Sequence, residues 1–336
     1  MTILTNKFKG ESVNKTNLIT LASASLVFLS QSAIATTITL ASTAPNSGVN
    51  KVVVDKFKEE LKERAPDVEL EIFLDGSLGG ERELIDLVKM NETQIHMGVI
   101  HSSQYFPELD ATLVPYLFPD YESIQSFFES ETGDRIKVAL KERGNAQFLN
   151  TYYQGARWTT SNTPFRTLEE LQGVKIRMPE IPLWIDIWSG LGATTTPMAS
   201  PEVFSGLQTG VIDAQENMLS NIVGRRLHEV QDYLIATQHQ HSYVTTMVNL
   251  DFWNGLDEDV KTAIQESMSI ATEEGTARAL DENDDLIQEI LSADTELVEP
   301  DPSFREDAMP VIEQAARDVL EEGVYEDAVR TIKEGR

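Results

Sequence analysis

Two hydrophobic periods alternate along this chain, and the alternation runs through it twice. Thr37 to Ser42 reads as a short strand. After the turn Pro45-Asn46-Ser47-Gly48, Val53, Val54, Phe57 and Leu61 fall at helical spacing. Val68, Leu70, Ile72 and Leu74 then alternate with Glu69, Glu71 and Phe73, a strand pattern. Gly76-Ser77-Leu78-Gly79-Gly80 is a loop, a helix follows from about Glu81 to Met90, and Ile95 to Ile100 is a third apolar strand. Strands and helices in turn predict an α/β unit with a mainly parallel sheet.

The pattern restarts after Gly144. Ala146 to Tyr153 reads as a strand that ends at Gly155. Thr167 and Glu170 have the spacing of a capping box, with Gly173 closing a short helix. Val174 to Met178 is a strand stopped by Pro179, and Leu183 to Leu191 a helix. Ser200-Pro201 reads as an N-cap followed by proline at the first helical position, opening a helix that ends at Gly210 before a strand Val211 to Ala214. The rest is helix-rich. Leu256, Val260, Ile264, Met268 and Ala271 form one apolar stripe, and Pro300-Asp301-Pro302 breaks the chain before a last helix of about 303–332. Two α/β units predict a ligand cleft between lobes.

The first 35 residues are built differently. Lys7, Lys9 and Lys15 precede an apolar run from Leu18 to Leu29, and Ala33-Ile34-Ala35 follows with small residues where a signal peptidase reads. This predicts a secretory signal peptide cleaved after Ala35, and a periplasmic protein. The chain has 27 basic and 55 acidic residues, a net charge of −28. That charge argues against nucleic acid and against anionic membrane surfaces as partners. With no cysteine there is no disulfide, thiolate metal site or cysteine nucleophile.

The common enzyme motifs fail. There is no P-loop lysine, no GxGxxG and no GxSxG. His228-Glu229 starts like a zinc helix, but position 232 is Asp. Asp281, Asn283 and Asp285 imitate a calcium loop, but Leu286 stands where the turn needs Gly and Ser292 where the closing Glu belongs, so the segment reads as solvated acidic helix. His239 and His241 lack a third metal ligand, and no metal or cofactor is expected.

What remains is polar residues near strand ends. Arg177 ends the strand before Pro179, Arg157 follows Gly155, and Asn217 follows the strand 211–214. Ligands of open parallel sheets sit outside the carboxyl ends of the strands. Two guanidinium groups and an amide meeting there are a construction for one carboxylate, because the planar guanidinium pairs it through two parallel hydrogen bonds. In a chain of −28, local positive charge must select such an anion. The competing reading makes both arginines surface ion pairs with the abundant Glu and Asp.

At this point the residues resemble a known family. Leu78-Gly79-Gly80-Glu81-Arg82-Glu83-Leu84 resembles one of its signatures. Gly173-Val174-Lys175-Ile176-Arg177-Met178-Pro179 through Leu191-Gly192-Ala193-Thr194-Thr195-Thr196-Pro197-Met198 resembles a second, completed by Glu202-Val203 and by Leu207 to Asn217. Together they resemble the solute-binding proteins of TRAP (tripartite ATP-independent periplasmic) transporters over essentially the whole chain after residue 35.

The resemblance implies a two-domain periplasmic-binding-protein fold of α/β class, with crossing strands and a long connecting helix. It implies no catalysis, and two membrane subunits, one small and one large, as partners. The expected domains are 36–154 with about 243–282, and 155–242 with about 283–336. Arg177 matches the arginine that pairs the ligand carboxylate, Arg157 a frequent second arginine and Asn217 the amide beside them. Glu81, Gly98 to His101, Glu180 and Ser200 match positions that shape the rest of the pocket, whereas Trp184 and Trp188 read as core. Ser200 stands where some relatives carry an aromatic residue. Glu81 and Glu180 as hydroxyl acceptors point to a sugar acid such as a uronate or aldonate. C4-dicarboxylates, 2-oxo acids and other carboxylates are the alternatives. Rival classes are a module presenting ligand to a receptor, and a secreted uronate lyase with His101 as its base.

Overall fold

The computed structural model describes residues 36–99 and 107–334. The segment 1–35, with its signal-peptide reading, and His101 lie outside the described residues. The strands are β1 (Thr36–Ala41), β2 (Val68–Phe73), β3 (Ile95–Gly98), β4 (Ala146–Ser161), β5 (Lys175–Met178), β6 (Thr194–Pro197), β7 (Ala214–Met218), β8 (Tyr233–Ile235), β9 (His241–Asn249) and β10 (Glu296–Val298). They join in the order β2-β1-β3-β9-β4-β7-β5-β6, with β8 between β4 and β10.

This order contains two α/β units. β1 pairs β2 and β3 in parallel, and β5 pairs β6 and β7 in parallel. Between these sets lies the antiparallel pair β9 and β4. β4 is shared: its first part, Ala146 to Ala156, pairs β9, and Arg157 to Ser161 pairs β7. The chain thus passes from one unit to the other along a single continuous strand. The helix Glu258–Asp281 lies along the helix Gly48–Arg64 and on β4, burying Ala263, Ile264, Met268 and Ala271. These are the crossing strands and long helix that the fold class requires.

Several elements differ from the sequence reading. β4 does not end at Gly155. That residue has φ 92, a region open to glycine, and it forms a bulge through which the strand continues. β7 starts at Ala214, where the expected strand stops. The Thr167–Glu170 spacing does make its hydrogen bond, Glu170 N to Thr167 Oγ1 at 3.3 Å, but it closes a turn and not a helix. The Ser200 hydroxyl caps nothing: Ala199 precedes a 3-10 turn, Ser200–Glu202, and the helix is Val203–Gln208. The last helix is two, Pro302–Val319 and Val324–Glu334, separated around Gly323.

Candidate functional site

A cavity of about 230 Å³ opens where β4 changes partners. Its walls come from the loop after β1 (Ser42, Thr43), the first turn of the helix Glu81–Lys89, the end of β3, and β4, β5 and β7. Six of the seven residues singled out in the sequence line it: Arg157, Arg177, Asn217, Glu81, Glu180 and Ser200.

Arg177 sits between Ile176 and Met178, both fully buried, on the inner part of β5, whose first residue, Lys175, is exposed. Its Nε donates to the Met198 carbonyl at 2.9 Å. Its two terminal nitrogens meet no protein acceptor among the described residues, although the residue is 3% exposed. Burial pushes its pKa down to about 9, with Glu216 opposing and Arg157 adding to the shift, and it remains a cation at neutral pH. A buried cation whose hydrogen-bonding edge faces a cavity is a site for an anion.

Arg157 is arranged differently. Its Nε and Nη2 both hold the carboxylate of Glu216, the latter at 2.8 Å, and Nη2 also reaches the Glu216 carbonyl at 3.0 Å. Nη1 lies 2.9 Å from Met218 Sδ, and the guanidinium stacks 4.8 Å from the Trp184 ring centroid. The competing ion-pair reading is therefore half right. The pair exists, but it is buried, with Glu216 at 0% exposure.

Burial works against the Glu216 charge, but Arg157 and a hydrogen bond from His239 hold its carboxyl well below the ordinary carboxylate range. His239 Nε2 lies 3.0 Å from Glu216 Oε2, and its Nδ1 lies 3.0 Å from Thr237 Oγ1. Burial lowers the His239 pKa in spite of that carboxylate, so the ring is neutral. The acceptor-only carboxylate then assigns the proton to Nε2. Thr159 Oγ1 continues the chain at 3.1 Å from Thr237 Oγ1. His241 turns instead to Tyr153, 2.7 Å from its hydroxyl. Among the described residues no three His, Asp or Glu side chains are grouped to hold a metal ion.

Arg157 and Asn217 do not lie beyond strand ends, as the sequence reading had them. They sit inside the antiparallel pair β4–β7, Arg157 opposite Met218 and Trp158 opposite Asn217. Asn217 on β7 is still, like Arg177 on β5, the last residue but one of a parallel strand, so both stay near strand ends, whereas Arg157 reaches the cavity because β4 crosses it. The Asn217 amide oxygen accepts from Asn221 Nδ2 at 3.1 Å and from the Met218 backbone at 3.2 Å, while its Nδ2 has a long contact of 3.4 Å to Gln215. Its donor side is thus the weakly satisfied one.

Two acids also line the cavity, Glu81 and Glu180. Glu81 accepts from the Thr43 hydroxyl at 2.5 Å and meets His96 Nε2 at 2.8 Å. Gly98 makes room for this carboxylate: a Cβ there would lie 1.8 Å from Glu81 Oε1. Glu180 is exposed at the rim, and Ser200 is half-buried. Trp184 is both core and wall, its Nε1 donating to the Leu113 carbonyl at 2.6 Å. Trp188 packs edge-on against His239 at 5.3 Å. The sequence reading missed Gln154, Asn221 and Arg82 on the wall and Glu216 behind it. An acid flanked by buried residues on a short strand was the one local signal for Glu216.

Comparison with known proteins identifies the family that shares this fold. Residues 40–322 match the model of bacterial extracellular solute-binding protein, family 7. A solute-binding protein of Roseobacter denitrificans is 33% identical over 219 residues, 65% of this chain and 67% of that protein. Its crystal structure, described as a TRAP periplasmic solute-binding protein with bound L-galactonate, superposes with a TM-score of 0.81 over 88% of this chain and 98% of that one, at 28% identity. The sialic acid-binding periplasmic protein SiaP of Vibrio cholerae is 26% identical over 301 residues, 89% of this chain and 94% of that protein. The C4-dicarboxylate-binding periplasmic protein DctP of Rhodobacter capsulatus is 27% identical over 243 residues, 70% and 72% of the two chains.

Proposed function

The chain belongs to the bacterial extracellular solute-binding proteins of family 7, the binding proteins of TRAP transporters, and from that premise we propose that it captures a sugar acid, a uronate or aldonate, by its carboxylate. Proteins of this family bind small acids and work with membrane subunits; they are not enzymes. The observation that carries the reading is Arg177, buried in a cavity with its terminal nitrogens unmatched among the described residues. A carboxylate there makes two charge-assisted hydrogen bonds and offsets the cost of burying the cation. Asn217 Nδ2 and Nη1 of Arg157 supply further donors at the same end. Glu81 at the other end accepts hydroxyl hydrogens and disfavours a second carboxylate.

Capture then proceeds by closure. The first domain, 36–154 with 243–282, and the second, 155–242 with 283–336, meet at Gln154–Gly155 and Ser242–Tyr243. These are the residues flanking the bulge in the β4–β9 ladder. Bending there swings one unit over the ligand, as hinge closure does in periplasmic binding proteins generally. The closed form is the one handed to a small and a large membrane subunit.

A thermal-shift screen over L-galactonate, D-galacturonate, succinate, a 2-oxo acid and ectoine tests this. A ligand present at 100 times its Kd adds about 2.7 kcal/mol to stability. The sugar acids are expected to raise the melting point most. A shift with succinate alone overturns the sugar-acid reading.

A further inference from the structure

We propose that Gln154 is a specificity-determining residue: a β-bulge turns it into the cavity, Asn50 braces it from behind, and its side-chain carbonyl oxygen accepts one hydroxyl of a polyhydroxylated acid. The inference rests on the sugar-acid reading above and names the group that tells such an acid from an unsubstituted one.

The bulge comes first. In the β4–β9 ladder Tyr153 stands opposite Tyr243 and Gly155 opposite Ser242, which leaves Gln154 as the extra residue without a partner. An extra residue bends its strand and re-aims its side chain. Gln154 is 4% exposed and lines the cavity at the point where β4 passes from one unit to the other.

The brace fixes the orientation of its amide. Asn50, fully buried on the helix Gly48–Arg64, accepts the Tyr152 hydroxyl on Oδ1 at 2.8 Å and the Gln154 Nε2 on the same atom. Tyr152 is itself fully buried, and burial pushes its pKa up, so it is a phenol with a proton to donate. Asn50 Oδ1 is thereby fixed as an acceptor, and Gln154 must turn its amide nitrogen toward it. The Gln154 carbonyl oxygen points the other way. It takes no hydrogen bond from the described residues, and it is not among the polar atoms sealed in the interior without a partner. An open carbonyl oxygen in a cavity accepts a hydroxyl. It offers nothing to a carboxylate, whose oxygens are acceptors too.

The test is calorimetry of the full chain and of Gln154→Met with L-galactonate and its monodeoxy analogues. Methionine keeps the length and removes the acceptor. The Kd of L-galactonate should rise about tenfold in the variant, the ordinary cost of one lost hydrogen bond. One deoxy analogue should bind the wild type about tenfold more weakly than L-galactonate and bind the variant no worse than the wild type. A packing defect would instead weaken every analogue alike, and that result overturns the role. So does a variant that binds L-galactonate within twofold of the wild type, and in that case the sugar-acid reading still stands. A wild type that binds succinate and neither L-galactonate nor D-galacturonate removes both at once.

Discussion

The carboxylate of Glu216 occupies the Nε–Nη2 edge of Arg157, and both side chains are buried beside the cavity. The two arginines that share this cavity are therefore not equivalent. Arg157 is neutralised by Glu216 and stacked on Trp184, whereas Arg177 has its terminal nitrogens unmatched among the described residues. The cavity carries one committed and one available guanidinium, and the proposed capture depends chiefly on the second.

Arg177→Lys should weaken sugar-acid binding about 100-fold, because an ammonium is a point charge that cannot form two parallel hydrogen bonds to one carboxylate. The loss corresponds to about 2.7 kcal/mol. Isothermal calorimetry checks it, and an affinity within threefold of wild type would remove Arg177 from the carboxylate site.

Glu216→Gln should cost about 3–5 kcal/mol of folding stability, because it leaves the Arg157 charge buried without its counter-charge. Replacing both partners with methionine should recover most of that loss, since a well-packed apolar pair avoids the desolvation of both ions. Urea unfolding of the single and double variants separates the two. A single variant less than 1 kcal/mol below wild type would show that water reaches the pair.

Acid should unfold the protein in two stages. The His239 imidazole has a lowered pKa, so the unfolded ring takes a proton that the folded one resists, and stability begins to fall below about pH 6.5. His241, also lowered by burial with Asp120 opposing, contributes to the same stage. The lowered pKa of Glu216 gives stabilisation that is complete above about pH 4.3 and is lost as pH falls through the folded value. Urea midpoints measured from pH 8 to pH 3 should show both slopes, and His239→Gln should flatten the first. Identical slopes in variant and wild type would mean His239 is protonated in the folded protein.

How much of this was legible in the sequence depends on the range of the signal. Arg177 stands out locally, a guanidinium between two core residues on a short strand. The helices Gly48–Arg64 and Glu258–Asp281 follow from local periodicity. β9 was not found: its residues are nearly all buried, so it shows no alternation of apolar and polar. Arg157 was picked as a cavity residue on an incorrect premise, because a glycine inside a strand reads as its end when it is a bulge, and Asn217 was set just outside its strand because β7 begins at Ala214, where the expected strand stops. Glu216 had only a weak local signal, an acid on a short buried strand, and its pairing could not be read. Its partner is 59 residues away, and that signal alone does not single it out among 55 acidic residues.

Gly98→Ala should damage the Glu81 side of the cavity without touching either arginine. An added Cβ would lie 1.8 Å from Glu81 Oε1 and 2.4 Å from His96 Nε2, and His96 is fully buried and has no room to retreat. Glu81 must therefore swing away from His96 and give up its 2.8 Å contact. Forcing a methyl into such a site costs about 1–3 kcal/mol of stability. The carboxylate end of the ligand keeps Arg177, so binding should weaken and not vanish. The loss should be larger for L-galactonate than for a short monocarboxylate that never reaches Glu81. Calorimetry with both probes decides it: equal losses would mean that Glu81 takes no part in reading the hydroxylated end.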